Sequence, residues 1–89
     1  MAKALDYRFF SVRECPPEKG RKTPRYEVVN ASTDCVLATI EWYGPWRQFV
    51  LCPRANTVWS RGCVADLCDA LQRIARGYDL ARRARACSL

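Results

Sequence analysis

The chain has 89 residues, 49% of them hydrophobic, a formal net charge of +6 and no histidine. A chain of this length is a single domain, residues 1–89, with one core, because it buries only roughly 60–65% of the surface its unfolded form exposes. Its composition is globular rather than disordered, and no apolar run approaches the ~20 residues needed to span a bilayer.

The start, MAKALDYRFFSV, has no apolar stretch long enough for a secretory signal and carries Asp6 within it, which predicts a cytoplasmic protein away from membranes. Tyr7–Val12 is a short aromatic and β-branched run, so a first strand is predicted there. Residues 13–24 follow as a flexible loop: two adjacent prolines, a glycine and many charges leave little to bury. Arg25–Ala31 reads as the second strand, with Tyr26 and Val28 on one face and Glu27 and Val29 on the other. Ser32, Thr33 and Asp34 supply a turn.

The richest stretch is 35–52, CVLATIEWYGPWRQFVLC. It reads as two strands, 35–42 and 46–52, joined by a tight Tyr43-Gly44-Pro45 turn with a tryptophan at each strand end. Val36, Ala38, Ile40 and Trp42 share the face expected to meet the core. The second strand carries bulk on both faces, Trp46, Gln48, Val50 and Cys52 against Arg47, Phe49 and Leu51, which suggests a central position. Pro53 ends it. Asn56–Trp59 is a short fifth strand or an extended segment.

Ser60 is suited to cap a helix, and Trp59 with Val64 would form a hydrophobic staple. Val64, Leu67, Cys68, Leu71, Ile74 and Ala75 repeat at helical spacing, predicting one main helix over about 60–76 that stops at Gly77. Residues 77–89 are a basic tail with a thin apolar face, suggesting a second short helix over 78–86. The predicted fold class is α+β: an antiparallel sheet of four to five strands packed by that C-terminal helix.

Six cysteines invite a disulfide reading. Cys35, Cys52, Cys63 and Cys68 instead fall inside strand-like or helix-like apolar patterns, where free cysteine acts as a small hydrophobe. Zinc needs paired ligands at short spacing, and the closest such pair, Cys63 and Cys68, has four residues between and no histidine to help. No metal or cofactor is expected. Nor is an enzyme: paired carboxylates and a phosphate-cradling glycine loop are both missing, Glu41 reads as a solvent-facing strand glutamate, and Cys63 reads as buried beside Val64.

Charge points instead to binding. Arg73, Arg76, Arg82, Arg83 and Arg85 face only Asp79 over residues 70–89, and Lys19, Arg21, Lys22 and Arg25 form a second basic cluster. Clustered arginine suits a polyanionic partner, nucleic acid or a nucleoprotein complex, although it also simply keeps a small protein soluble. In the binding reading the arginines contact phosphates while Tyr43, Trp46 or Trp59 stack on bases; the competing reading is core packing at the hairpin ends, preferred for Trp42 and, by a narrower margin, for Trp46 and Trp59. Trp46 and Arg47 equally suit a protein interface, where Trp and Arg dominate hot spots. Self-association through the tail helix or an unpaired strand edge would give a homodimer.

The string Ile40-Glu41-Trp42-Tyr43-Gly44-Pro45-Trp46-Arg47-Gln48, then Pro53, Asn56-Thr57-Val58-Trp59 and Cys63-Val64-x-Asp66-Leu67, resembles a group of small bacterial proteins met on phages and other mobile elements. The resemblance covers Tyr26 to about Ala75, a little over half of the chain. It implies a compact antiparallel sheet with one helix and carries no activity. It favours, as the runner-up to a nucleic-acid binder, a phage-encoded anti-defence inhibitor, anti-CRISPR-like, acting on a host protein complex. The residues expected to meet the partner are Tyr43, Trp46, Arg47, Trp59, Arg73, Arg76, Arg82, Arg83 and Arg85.

Overall fold

The computed structural model describes the backbone of residues 4–16, 19–20 and 22–87, and the side chains of these except 4 and 84–87. Five strands, β1 (Ala4–Asp6), β2 (Phe10–Glu14), β3 (Tyr26–Asn30), β4 (Val36–Tyr43) and β5 (Gln48–Pro53), form one antiparallel meander in chain order. A single helix, α1 (Arg61–Cys87), lies across one face. The architecture is the α+β sheet-and-helix arrangement that the patterning predicts.

The alternation in β4 is what sets the two faces. Ala38 and Ile40 are fully buried beneath the helix, and Trp42 packs against the same cluster. Their cross-strand partners follow by register: Tyr26 opposite Ile40, Val28 opposite Ala38, and Phe49 opposite Trp42. Phe10, Val12, Leu67, Ala70 and Ile74 complete the core. The register shifts between β3 and β4: Val28 pairs with Ala38 but Val29 with Val36, leaving Leu37 as the extra residue. Val28 is therefore buried in the main core, Val29 is buried outside that cluster, and Val36, expected to meet the core, stands opposite Val29 instead.

Several expectations are corrected. The 7–12 strand is displaced: Tyr7–Phe9 is the turn of a hairpin, closed by the Tyr7 N–H donating to the Phe10 carbonyl at 2.9 Å, and β2 runs on to Glu14. The fifth strand is β1, not Asn56–Trp59, which lies outside the sheet. Three residues are too short for a recognisable period, so β1 is defined by its partner β2 rather than by its own sequence. β5 is an edge strand, not a central one; Phe49 and Leu51 meet the helix side, while Gln48 and Cys52 are exposed. The expected mobile tip of the 13–24 loop falls partly on residues 17, 18 and 21, outside the described residues. Past β2, the Cys15 N–H donates to the Arg25 carbonyl at 2.7 Å, which ties the base of this loop. The turn expected at Ser32–Asp34 forms one residue earlier, over 31–33, held by Asn30 Oδ1 accepting from the Ser32 and Thr33 N–H groups.

The helix carries the largest differences. Ser60 caps it as expected, its Oγ accepting from the Cys63 N–H at 3.1 Å. No staple forms: Val64 is 47% exposed, and Trp59 instead packs edge-on to Phe10. The buried stripe is Cys63, Leu67, Ala70, Leu71, Ile74 and Tyr78, so Val64 and Cys68, expected inside, face out. Cys35 and Cys52 are exposed as well, leaving Cys63 alone of those four thiols in the packed interior. Gly77 does not stop the helix and has no positive φ; the tail and the main helix are one element of 27 residues. Tyr78 is the reason: its ring docks on the sheet and anchors the next turn, overriding a glycine penalty of only ~1 kcal/mol.

A β-carbon at Gly77 would meet nothing within 4 Å. Gly77→Ala is therefore expected to raise unfolding stability by about 0.5–1 kcal/mol in urea melts; a helix ending in a left-handed cap at this position would be destabilised instead. Ile40→Ala should cost about 2–5 kcal/mol in the same melts, as deletion at a fully buried position does.

Candidate functional site

Trp46 and Arg47 sit in the β4–β5 turn rather than in a strand. Gly44–Trp46 forms a 3-10 turn with Pro45 in its first residues, where a fixed φ and the lost N–H cost nothing. Arg47 closes it at φ 51°, its N–H donating to the Gly44 carbonyl at 3.1 Å. This left-handed residue reverses the chain into β5. Tyr43 and Trp46 meet edge to face, centroids 5.0 Å apart and rings at 80°. Both remain open to solvent, Trp46 at 66%, so the core packing preferred for Trp46 from its sequence does not occur: no other element closes over the apex of the turn.

Behind the turn three rings join sheet to helix. Trp42 and Phe49 lie 5.3 Å apart, and Tyr78 lies 5.5 Å from Trp42 and 5.4 Å from Phe49. One turn further along α1, the Arg82 guanidinium sits 5.8 Å above the Tyr78 ring. The joint thus brings two predicted site residues together: Arg47 and Arg82 line one groove of about 330 Å³, with Gln48 and Asp79. Arg76 and Arg83 share a neighbouring helix face with Gln72 and Leu80. Among the described residues, Arg47, Arg76, Arg82 and Arg83 make no ion pair with a carboxylate.

Other predicted site residues lie elsewhere. Trp59 is half-buried against Phe10, its indole N–H donating to Thr57 Oγ1 at 3.0 Å. It stands at the start of the helix, the far end of the sheet from Trp46, and belongs to the core. Arg73 is engaged locally: its Nε lies 2.9 Å from Asp69 Oδ2, the oxygen that also accepts from the Tyr7 hydroxyl at 2.8 Å. The side chain of Arg85 is outside those described. Of the loop cations, Arg25 pairs with Glu41 at 3.1 Å, and Glu41 also lies 3.9 Å from the Cys52 thiol. Glu41 is thus tied to a cation rather than simply solvated.

A second cleft, about 560 Å³, opens between α1 and the β1–β3 side of the sheet, where Gly77 and Ala81 leave room. Leu5, Val12, Ile74 and Tyr78 form apolar wall, and Glu14, Lys22, Tyr26 and Arg73 add the polar groups. Sequence reading did not find this cleft, nor Gln48, Asp79 or Tyr78 as neighbours of Arg47. The i, i+4 spacing of Tyr78 and Arg82 was the only signal for part of it.

No protein-family model matches this chain, and neither a curated protein nor a solved structure matches it. Among the described residues, no three or more His, Cys, Asp or Glu side chains could together hold a metal ion, and no helix is long and apolar enough to cross a membrane.

Two phenols hold the helix and the loop base in place, and both are pushed up from the usual 10.0 to about 12. For Tyr7 burial is the first cause, followed by the hydrogen bond to Asp69 and the charge of that carboxylate. For Tyr26 burial again leads, then the charge of Glu14 and the hydrogen bond to it. The folded state favours the neutral phenols, so their contribution to stability is whole below pH 10 and is lost as pH rises towards 12. The melting temperature should fall across that window, and Tyr7→Phe with Tyr26→Phe should remove the latest part of the phenolate absorbance titration. An unchanged titration curve in the double variant would contradict this assignment.

Proposed function

We propose that the protein is a small, basic, non-enzymatic binding protein whose partner is nucleic acid or a nucleoprotein complex, and that it docks through the β4–β5 turn and the adjacent arginines of α1. The observation that carries this reading is Arg47. Three non-glycine residues among those described have positive φ: Asp34, Asn56 and Arg47. Aspartate and asparagine tolerate that region through short polar side chains, whereas arginine gains no such relief and glycine would sit there without steric cost. The turn needs a left-handed residue here, and the use of arginine where glycine would carry no strain points to a role for the side chain beyond closing the turn. Here the strained position puts a guanidinium beside a 66%-exposed indole, with Arg82 in the same groove. Guanidinium for phosphate and indole for base is the combination that binds nucleic-acid strands.

The same turn supports a second reading, favoured by the exposure of Trp46 next to Arg47 and by the mobile-element resemblance: a phage-encoded anti-defence inhibitor acting in the host cytoplasm on a protein complex.

Fluorescence anisotropy with mixed-sequence DNA and RNA separates the two. Binding should weaken steeply with salt as counterions are released. Trp46→Ala should cost about 1–3 kcal/mol of affinity. Arg47→Gly should lower affinity while the melting temperature stays level or rises, because it relieves the left-handed strain. No binding tighter than about 100 μM in low salt would reject the nucleic-acid reading. The protein-inhibitor reading then requires that Trp46→Ala and Arg47→Ala abolish capture of a host defence complex with little change in melting temperature.

A further inference from the structure

Resting on the nucleic-acid reading above, we infer that this site takes an unpaired base: its ligand is single-stranded nucleic acid, one base stacking on Trp46 while neighbouring phosphates lie against Arg47 and Arg82. Trp42, Phe49 and Tyr78 pack on the core beneath the helix, and Tyr26 lies there with them. Trp59 is tied to Phe10. Phe9 is exposed, but it lies in the β1–β2 turn with the Arg8 guanidinium 5.1 Å over its ring, and its carbonyl accepts from Ala31 at the opposite end of the sheet from the β4–β5 turn. That leaves Trp46, with Tyr43 braced against it, as one stacking platform.

The uncovered face of the sheet offers no alternative platform. By register it carries polar and aliphatic side chains, among them Ser11, Glu27, Val29, Thr39, Gln48 and Val50, and is crossed by the Arg25–Glu41 ion pair. Tyr43, at the end of β4, is its one ring, and that ring belongs to the turn.

A duplex keeps the faces of its bases inside the stack, so Trp46 reaches one only at a duplex end or by extruding a nucleotide. Stacking on an aromatic ring gains about 5- to 150-fold in affinity, and extrusion costs a comparable factor. On duplex the two cancel, leaving only phosphate contacts. On a single strand the stacking gain is kept. The groove beside the platform suits the same ligand: Arg47, Arg82 and Gln48 line it with one acidic residue, Asp79. Arginines suit the phosphate backbone, and a glutamine amide suits a base edge or sugar.

Competition anisotropy tests this with a labelled mixed-sequence 12-mer single strand displaced by the same unlabelled strand, by its blunt duplex, and by a 12-mer whose central bases are replaced with abasic sites. The single strand should win over duplex and abasic strand by about tenfold or more. Trp46→Ala should bring that ratio close to one without weakening duplex binding, and Trp46→Phe should restore most of it. Arg82→Ala should weaken single strand and duplex alike. Tryptophan fluorescence should be quenched on adding single strand, and that quench should vanish in Trp46→Phe. Circular dichroism melts check that each variant is folded. Duplex bound as tightly as single strand, or a ratio that Trp46→Ala leaves untouched, would overturn this inference while the nucleic-acid reading stands. Binding to none of the three competitors would remove both.

Discussion

The position of everything outside the core depends on the contact of three rings, Trp42, Phe49 and Tyr78, each within 5.5 Å of the others. Trp42 and Phe49 face one another across β4 and β5, so the hairpin presents them as a pair. Tyr78 comes from the helix and closes on both. The Phe49 contacts with Trp42 and Tyr78 are edge-to-face, and such pairs stabilise by about 0.5–1.5 kcal/mol each beyond the area they bury. They also fix the helix in rotation, because only one setting of α1 directs Tyr78 inward together with Ile74 and Leu67.

That rotation distributes the charge. With Tyr78 inward, Arg82 falls over its ring and beside the β4–β5 turn, while Arg76 and Arg83 fall on the adjoining face. Arg73 falls to the other side, where Asp69 engages it and Tyr7 bonds the same carboxylate. A set of arginines that is uniform along the sequence is therefore divided by the fold: Arg73 is paired within the helix to the carboxylate that bonds Tyr7, and Arg76, Arg82 and Arg83 have no carboxylate partner among the described residues. The turn contributes its own constraint. Pro45 favours a tight 3-10 turn, the left-handed residue after it reverses the chain, and the reversal sets Phe49 against Trp42.

The strands and the helix were legible wherever a period ran long enough to be heard. β4 has eight residues, and from Ala38 on its alternation holds: Ala38 and Ile40 are buried and Trp42 packs beside them, whereas Val36 lies beyond the register shift and outside the core. Ser60 announces the helix because capping is a local hydrogen bond between neighbours in sequence. β1 was not legible, since three residues carry no period and the pairing that defines them comes from β2. Gly77 misled because a local cap preference of ~1 kcal/mol lost to the docking of Tyr78, a contact made with residues some thirty positions away. The helical stripe was placed about one position out, since Val64 and Cys68 fit the spacing as well as Cys63 and Ala70 do.

The sequence by itself determined the class of fold, the β4–β5 hairpin and an excess of arginine near the C-terminal end, because alternation, capping and charge are properties of neighbours along the chain. Which arginines stand together, and that Trp46 is open while Trp42 and Trp59 are packed, was decided only by the tertiary structure. The three tryptophans look alike in sequence; what separates them is whether an element from elsewhere closes over the ring. Tyr78 closes over Trp42 and Phe10 closes on Trp59, whereas Trp46, at the apex of a turn, meets only its neighbour Tyr43.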